Sequence, residues 1–174
     1  MSVCLIIDGG YFASIQAICG SIDLTKLKNE IQKKYGKIER AYYFTSLDGP
    51  NQACFHKWLK SFNGGKMEVV VKPFKYKTCE SCGNTAIVEK GMDVGMSTLA
   101  IKLANRNIYD TLVLMNGDGD LIDALKYIKD DFNKGLVIIG ELETISSDTQ
   151  CIANDIYVVS DNMEKIRKTE IIKE

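Results

Sequence analysis

Five aspartates lie where carboxylate oxygens could gather around a divalent cation. They are Asp8, Asp93, Asp118, Asp120 and Asp155. Asp8 directly follows the apolar run 3–7. Asp118 and Asp120 follow a second apolar run, 111–115, on a glycine-containing turn. Crowded carboxylates repel one another unless a cation or a proton intervenes, and Mg²⁺ and Mn²⁺ prefer oxygen ligands, so the pattern predicts metal chemistry.

Other uses of these acids fit the residues less well. A calcium-binding EF-hand loop needs Gly and Glu where this chain has Leu121 and Tyr127. The chain has no phosphate-gripping Gly-x-x-x-x-Gly-Lys-Ser/Thr loop. A dehalogenase-type phosphatase needs a second aspartate two residues after Asp8, where the chain has Gly10. A plainer alternative is that the acids at 118–120 form a turn and cap the following helix.

Composition limits the class of protein. The chain has 174 residues, of which 45% are hydrophobic, so we expect one globular domain with a sizeable core. No apolar stretch approaches the ~18 residues of a membrane span, and the first apolar run lacks the basic flank of a signal peptide. Six cysteines without a secretory signal favour a reducing, cytoplasmic setting and argue against a disulfide framework.

Charge is unevenly distributed along the chain. The formal net charge is −1, which excludes a globally basic nucleic-acid-binding surface. Residues 57–77 nevertheless carry a single acid, Glu68, against the lysines Lys57, Lys60, Lys66, Lys72, Lys75 and Lys77. Such a basic lobe could hold a polyanion beside the acids, with Lys72 and Lys75 as candidate substrate contacts. A solvated face of a helix and a strand would give the same pattern.

Apolar runs of strand length alternate with segments of helical period. Strands are predicted at 3–7, 38–44, 67–71, 111–115, 136–139 and 156–159. Helices are predicted at 24–35, 53–62, 94–104 and 121–128. This alternation predicts an α/β fold with a mostly parallel sheet covered by helices on both faces. In such sheets ligands bind beyond the carboxyl ends of the strands, where Asp8, Asp118 and Asp120 are expected.

Three segments resemble the signature segments of NYN domains, which are PIN-like, LabA-type ribonucleases. The segments are Ile7-Asp8-Gly9-Gly10-Tyr11-Phe12, Glu89-Lys90-Gly91-Met92-Asp93-Val94 and Gly117-Asp118-Gly119-Asp120-Leu121. Their order and spacing match the family over residues 1–160, with a polar insertion near 76–88. The remaining residues, 161–174, form a charged tail expected to be a loosely packed helix or a frayed end. The resemblance implies a PIN-like three-layer α/β/α sandwich that cleaves RNA, expected to be single-stranded, with Mg²⁺ or Mn²⁺.

The resemblance also assigns roles to the acids. It implies that the metal ligands and catalytic residues are Asp8, Asp93, Asp118 and Asp120. Asp155 resembles an acid found before the last strand in family members and is a further candidate ligand, with a helix cap as an equal interpretation. A hydrolytic mechanism is expected, in which metal held by these carboxylates activates a water for in-line attack on a phosphodiester.

Two positions depart from the family pattern. Tyr11 stands where many members have Asn, and Asn116 where many have Ser, and both are candidate substrate-binding residues. Lys90 adjoins the pocket in sequence and could hold a phosphate or be a surface lysine. Because the carboxylates remain, metal binding is expected to persist. The alternative functions are a non-catalytic nucleic-acid- or protein-binding module that retains the acidic pocket, and a phosphatase acting on small phosphoesters.

The segment Cys79-Glu80-Ser81-Cys82 has the spacing of half a zinc site. A structural zinc ion needs about four ligands, and the chain has no second Cys-x-x-Cys. Cys54 and His56 could complete the site, or the same cysteine pair from a second subunit could do so in a homodimer. The alternative is a hairpin loop with free thiols and no metal.

Overall fold

The structure is a computed structural model that describes residues 1–46, 49–61, 63–88 and 91–169. The strands are β1 Ser2–Asp8, β2 Lys37–Thr45, β3 Glu68–Val71, β4 Lys75–Thr78, β5 Thr85–Val88, β6 Thr111–Met115, β7 Gly135–Gly140 and β8 Asp155–Val158. The helices are α1 Gly9–Cys19, α2 Leu24–Tyr35, α3 Pro50–Lys60, α4 Met92–Asn105, α5 Ile122–Asp130, α6 Ser147–Ile152 and α7 Val159–Ile166. Short 3₁₀ turns occur at Gly119–Leu121 and Leu142–Thr144.

Six strands form one sheet in the order β3-β2-β1-β6-β7-β8, and every neighbouring pair is parallel. The chain therefore starts at the centre, builds outward to β3, and returns to add β6 on the other side of β1. The direction of building reverses between β1 and β6, where Ile7 pairs with Met115. Ligands of open α/β sheets bind at such a reversal, beyond the carboxyl ends of the two strands.

Alternating side chains of the central strand supply two separate cores. Val3, Leu5 and Ile7 of β1 face the layer formed by α1, α2, α3 and α7. Cys4 and Ile6 face the opposite layer, which contains α4 and α5. All five side chains are almost fully buried, and burying one Leu or Ile side chain contributes about 1.5–3 kcal/mol. The predicted three-layer α/β/α sandwich is confirmed.

The first helix was not apparent in the sequence, because apolar residues of α1 do not follow one clear period. α1 begins directly after Asp8, the last residue of β1, with no intervening loop. The side chain of Asp8 caps the helix by accepting hydrogen bonds from the backbone N–H groups of Gly10 and Tyr11. Gly9 allows this tight junction, because a Cβ there would come within 2.7 Å of the carbonyl oxygen of Phe44.

Two further segments lie outside the elements predicted from periodicity. The polar insertion folds as an antiparallel hairpin of β4 and β5, separate from the main sheet. The expected boundary at residue 161 falls inside α7, whose Met163 and Ile166 are buried in the core, so this part of the charged tail is packed rather than loose. Residues 170–174 lie outside the described residues. Within the described residues, no helix has the length and apolar character to cross a membrane.

Candidate active site at the carboxyl ends of the strands

Asp8 is held in a fixed orientation at the carboxyl end of β1. One carboxylate oxygen, Oδ1, accepts hydrogen bonds from the backbone N–H groups of Gly10 at 2.8 Å and Tyr11 at 3.3 Å. The other oxygen, Oδ2, accepts a hydrogen bond from the side-chain amide of Asn116 at 2.9 Å. These three donors hold the carboxylate in one orientation.

Asn116 connects Asp8 to the acidic turn that follows β6. Its Oδ1 accepts a hydrogen bond from the backbone N–H of Asp118 at 2.7 Å, while its Nδ2 donates to Asp8. The backbone N–H can only donate, which fixes the orientation of the amide. Asn116 is only 3% exposed and positions two carboxylates from beneath the surface, while its expected role in substrate binding stays a prediction.

Asp118 and Asp120 lie on the 3₁₀ turn after β6, and both are exposed. Oδ1 of Asp118 accepts a hydrogen bond from the backbone N–H of Asp120 at 3.0 Å. Gly117 brings this turn close to the loop after β7, because a Cβ there would collide with the carbonyl oxygen of Thr144. The backbone N–H of Ser146 also donates to the carbonyl oxygen of Gly117 at 3.0 Å. The turn is therefore braced from below while its carboxylates face outward.

Tyr11 is part of that brace. A Cβ at Gly117 or at Gly140 would collide with the Tyr11 ring or hydroxyl, so the ring packs directly against both glycines. Its hydroxyl forms a 2.5 Å hydrogen bond with Oγ1 of Thr144. Burial raises the pKa of Tyr11, which keeps the phenol neutral. The residue that departs from the family pattern thus supports the acidic turn, and its expected contact with substrate stays a prediction.

Asp93 is the second residue of α4 and is partly buried. Burial raises the pKa of its carboxyl group, and the negative charges of Asp118, Asp8 and Asp120 raise it further. Asp118, Asp8 and Asp120 are therefore near enough to Asp93 to act on it electrostatically.

The described residues contain no group of three or more His, Cys, Asp or Glu side chains that could hold a metal ion. The carboxylates thus approach one another without forming a cage of protein ligands. Their chemistry still fits Mg²⁺, which keeps several waters and commonly binds through one or two carboxylates and substrate phosphates. Asp118 and Asp120 are the exposed pair that could serve in this way.

Asp155 is not brought into this group. It begins β8 and pairs with Val137 in the middle of β7, away from the carboxyl ends of the strands. Its Oδ2 lies 2.9 Å from the Lys34 ammonium and accepts a 2.7 Å hydrogen bond from the Tyr35 hydroxyl. Burial acts to raise the pKa of Asp155, but the hydrogen bonds and charge of Lys34 and the hydrogen bond of Tyr35 lower it overall.

The lysine candidates occupy different places. The Lys72 side chain lies over the start of α4, because a Cβ at Gly95 would be 3.0 Å from its Cε atom. Lys75 is exposed on the β4 strand of the hairpin. Lys90 lies outside the described residues. Of the two described lysines, Lys72 is therefore the one that lies beside the helix of Asp93.

The cysteine pair lies on the exposed turn between β4 and β5. Hydrogen bonds, first from Ser81 and then from Cys82, lower the pKa of Cys79 to about 6. In the part of the chain that the structure describes, no third ligand joins Cys79 and Cys82. Cys54 is exposed and His56 is buried, and neither completes a site with the pair.

Glu141 is a buried acid near this end of the sheet that the sequence did not single out. It directly follows β7, and its carboxylate accepts hydrogen bonds from the backbone N–H and hydroxyl of Ser160 at 2.7 and 2.8 Å. It also accepts a hydrogen bond from the Cys19 thiol at 3.3 Å. Glu141 could have been found from the sequence, because it is the first acid after an apolar strand, as Asp8 is.

The sequence matches the NYN domain, a PIN-like nuclease family, over residues 2–161. The crystal structure of a protein of unknown function from Vibrio parahaemolyticus is similar, with a TM-score of 0.72 and 21% identity over 92% of this chain and 94% of that chain. The structure of MurG from Acinetobacter baumannii gives a TM-score of 0.44 and 8% identity over 89% of this chain and 40% of that chain. The first likeness supports the fold, and the second is too distant to inform on it. No curated protein matches the chain significantly.

Proposed function

The chain belongs to the NYN domain family, and on that premise we propose that it is a metal-dependent ribonuclease hydrolysing RNA phosphodiester bonds. The observation that carries the proposal is the hydrogen-bonded connection of Asp8 to the Asp118 turn through Asn116, at the reversal of the sheet. In agreement with this clustering, burial and then the charges of Asp118, Asp8 and Asp120 raise the pKa of Asp93. Four like charges held together at a sheet reversal are costly to the fold alone, and a cation or a proton offsets that cost. Perturbed carboxylates of this kind concentrate at functional sites.

The four carboxylates would have different tasks. Asp118 and Asp120 are exposed and could hold Mg²⁺ or Mn²⁺, while Asp8 is fixed by its three hydrogen-bond donors. Such an ion, when bound, lowers the pKa of a coordinated water and neutralises charge on a phosphoryl oxygen. Asp93 has the raised proton affinity that suits a general base, so it would accept the proton of the attacking water.

Charges and thiols support the proposed substrate and compartment. Lys72, beside the start of α4, could hold a phosphate of the strand next to the acids, and single-stranded RNA is the proposed substrate. The six cysteines are free thiols, which supports a reducing, cytoplasmic compartment. Zinc shared by the Cys79–Cys82 pairs of two subunits, and the homodimer that it would imply, stay predictions.

The direct test compares two aspartate variants on one labelled single-stranded RNA, with Mn²⁺ and with a chelator. Asp118→Asn should lower the rate about 100-fold, the scale of losing one directly acting group, whereas Asp155→Asn should leave it unchanged. Asp155 is the matched control because it is also a partly exposed acid at an element end, with partners of its own. Equal Mn²⁺-dependent rates for wild type and Asp118→Asn would sink the assignment.

A second function is favoured by one observation, the lack of a three-ligand metal group among the described residues. In that case the chain is a nucleic-acid- or protein-binding NYN module that retains the acidic pocket without turnover. Mn²⁺-dependent binding of RNA, with no cleavage of RNA or DNA, would identify this module. Turnover of a chromogenic phosphate monoester in the same assay would instead indicate a phosphatase.

A further inference from the structure

A groove of about 870 Å³ opens beside Asp8, at the amino end of α1. The backbone of Gly9 and Gly10 forms part of its wall. Its other walls are rich in aromatic side chains, which are Phe12, Tyr43, Phe55, Trp58 and Phe74. Its volume falls within the range of small-molecule binding sites, about 300–1,000 Å³. None of these aromatic residues has a role in the proposed chemistry.

The aromatic rings of the groove are arranged against one another. Phe55 and Trp58 are stacked, with ring centroids 6.0 Å apart and an interplanar angle of 19°. Tyr43 meets Phe55 edge-on, with centroids 5.6 Å apart and an angle of 83°. Trp58 remains 38% exposed although it lies in this assembly. Part of the flat indole surface is therefore accessible in the groove, in addition to the part that contacts Phe55.

The groove adjoins the β1–α1 junction, at which Asp8 caps the helix. A Cβ on Gly9 would lie 2.8 Å from the Tyr43 hydroxyl, so Tyr43 lies against the junction that Asp8 caps. Consistent with this contact, burial and then the charge of Asp8 raise the pKa of Tyr43 to about 12. A ligand in the groove would thus lie next to the carboxylate proposed to act on a phosphodiester.

The groove also contains a buried polar group that lacks a partner. Ser46 lines the groove and is only 4% exposed. Its hydroxyl has no hydrogen-bond partner within the described residues. Because buried hydroxyl groups are nearly always hydrogen-bonded, an unpartnered one in a groove wall indicates a ligand with polar edges. Gln52, another lining residue, adds a side-chain amide that can both donate and accept.

We propose that this groove binds an unpaired base of the RNA strand whose phosphodiester reaches the aspartates, an inference that rests on the proposed function for its substrate. A base has an aromatic face for Trp58 and polar edges for Ser46. Lysines are placed for the adjoining phosphates, since Lys168 lines the groove and Lys57 and Lys60 are exposed on the helix of Trp58. Paired, stacked bases of a duplex could not enter, so the groove selects single strands.

The test uses the full chain and reads binding without cleavage. Trp58 is the single tryptophan of the chain, so its fluorescence reports on the groove alone. In the presence of a chelator, an RNA of about ten nucleotides should quench this fluorescence. Trp58→Ala should weaken RNA binding, measured by anisotropy of a labelled strand, roughly tenfold. Tyr127→Ala, which removes an exposed aromatic residue from α5, is the matched control and should not change binding.

Two further probes distinguish binding of a base within a strand from binding of the backbone alone or of a free nucleotide. A strand of the same length without bases should bind more weakly and leave Trp58 unquenched, whereas equal binding by that strand would contradict the proposal. If adenosine monophosphate quenches Trp58 fluorescence as strongly as the strand does, the groove is a site for free nucleotides and the proposal is contradicted. No change in Trp58 fluorescence at high RNA concentration, or equal affinity of wild type and Trp58→Ala, would also overturn it.

The proposed catalytic function can fail independently of the groove. RNA that quenches Trp58 but is not cleaved with Mn²⁺ supports the groove and contradicts the nuclease. RNA that is cleaved with Mn²⁺ but never quenches Trp58 contradicts the groove and supports the nuclease.

Discussion

Asp93 and Asp155 are both partly buried aspartates at the start of an element, yet the pKa values of their carboxyl groups shift in opposite directions. The pKa of Asp93 is raised by burial and by three neighbouring aspartates. For Asp155, burial also acts to raise the pKa, but Lys34 and Tyr35 lower it overall. The first carboxyl group lies among like charges, and the second is paired with Lys34. A bound cation would offset the repulsion only in the first arrangement.

The place of each acid relative to the ends of the strands explains the difference in their surroundings. The reversal of the sheet between β1 and β6 brings Asp8 and the turn of Asp118 together at the carboxyl ends of the strands. Asp155, at the start of β8, instead meets the last turn of α2, which carries Lys33 and Lys34. Basic residues are favoured at a helix carboxyl end because they complement its dipole, so an acid arriving there finds a partner.

The largest expected change in stability is that of Asn116→Ala, compared with Asn154→Ala. Asn116→Ala should lower the free energy of unfolding by about 1–3 kcal/mol, because it leaves the Asp118 N–H and an Asp8 oxygen without their partner. The same change should reduce cleavage, since both carboxylates lose their positioning. Asn154→Ala is the control, because Asn154 is exposed and accepts a hydrogen bond from the backbone N–H of Leu136.

For Asn154→Ala we expect a loss below about 1 kcal/mol in urea unfolding and unchanged cleavage. Equal losses of stability for the two variants would show that the Asn116 bridge is unimportant.

A smaller effect is expected from Asp93→Asn. A raised pKa in the folded state means that folding is favoured by protonation, so stability falls as the pH rises from the unfolded pKa to the folded one. The neutral amide avoids that loss and should raise the melting temperature at neutral pH in a chelator. Solvent screening at this partly exposed site keeps the gain below about 1 kcal/mol.

Added Mn²⁺ should reverse the order of the two melting temperatures, because it should stabilise the wild type more than Asp93→Asn. Thermal melts with and without Mn²⁺ measure both effects. A lower melting temperature for Asp93→Asn in a chelator would mean that repulsion among the aspartates is negligible.

The smallest effect, with the opposite pH dependence, is expected from Asp155→Asn. Its lowered pKa contributes stability that is present above the unfolded pKa and is lost as the pH falls through the folded pKa. The Lys34 pair is exposed, so the loss at neutral pH should be about 0.5 kcal/mol or less. Urea unfolding at neutral and at acidic pH measures the difference between the variant and wild type. A difference that grows on acidification would contradict the pairing.

Much of the fold was predictable because its signals are local. The apolar run 111–115 coincides with β6, and the period of 24–35 coincides with α2. Their alternation determines a parallel sheet, and a parallel sheet determines which strand ends meet. The sequence alone therefore predicted that Asp8 and the Asp118–Asp120 turn occupy one edge, and the signature segments identified the family.

The tertiary structure decided which residues near that edge face a ligand, because partners distant in the chain determine it. Tyr11 packs beneath the acidic turn through Thr144, 133 residues away. Asp155 pairs with Tyr35, 120 residues away, and so leaves the acidic group. Periodicity reports which face of an element is buried, but not which other element covers it. The sequence by itself determined the fold, the family and the edge that carries the acids, and only packing decided which of the candidate acids is paired with a lysine.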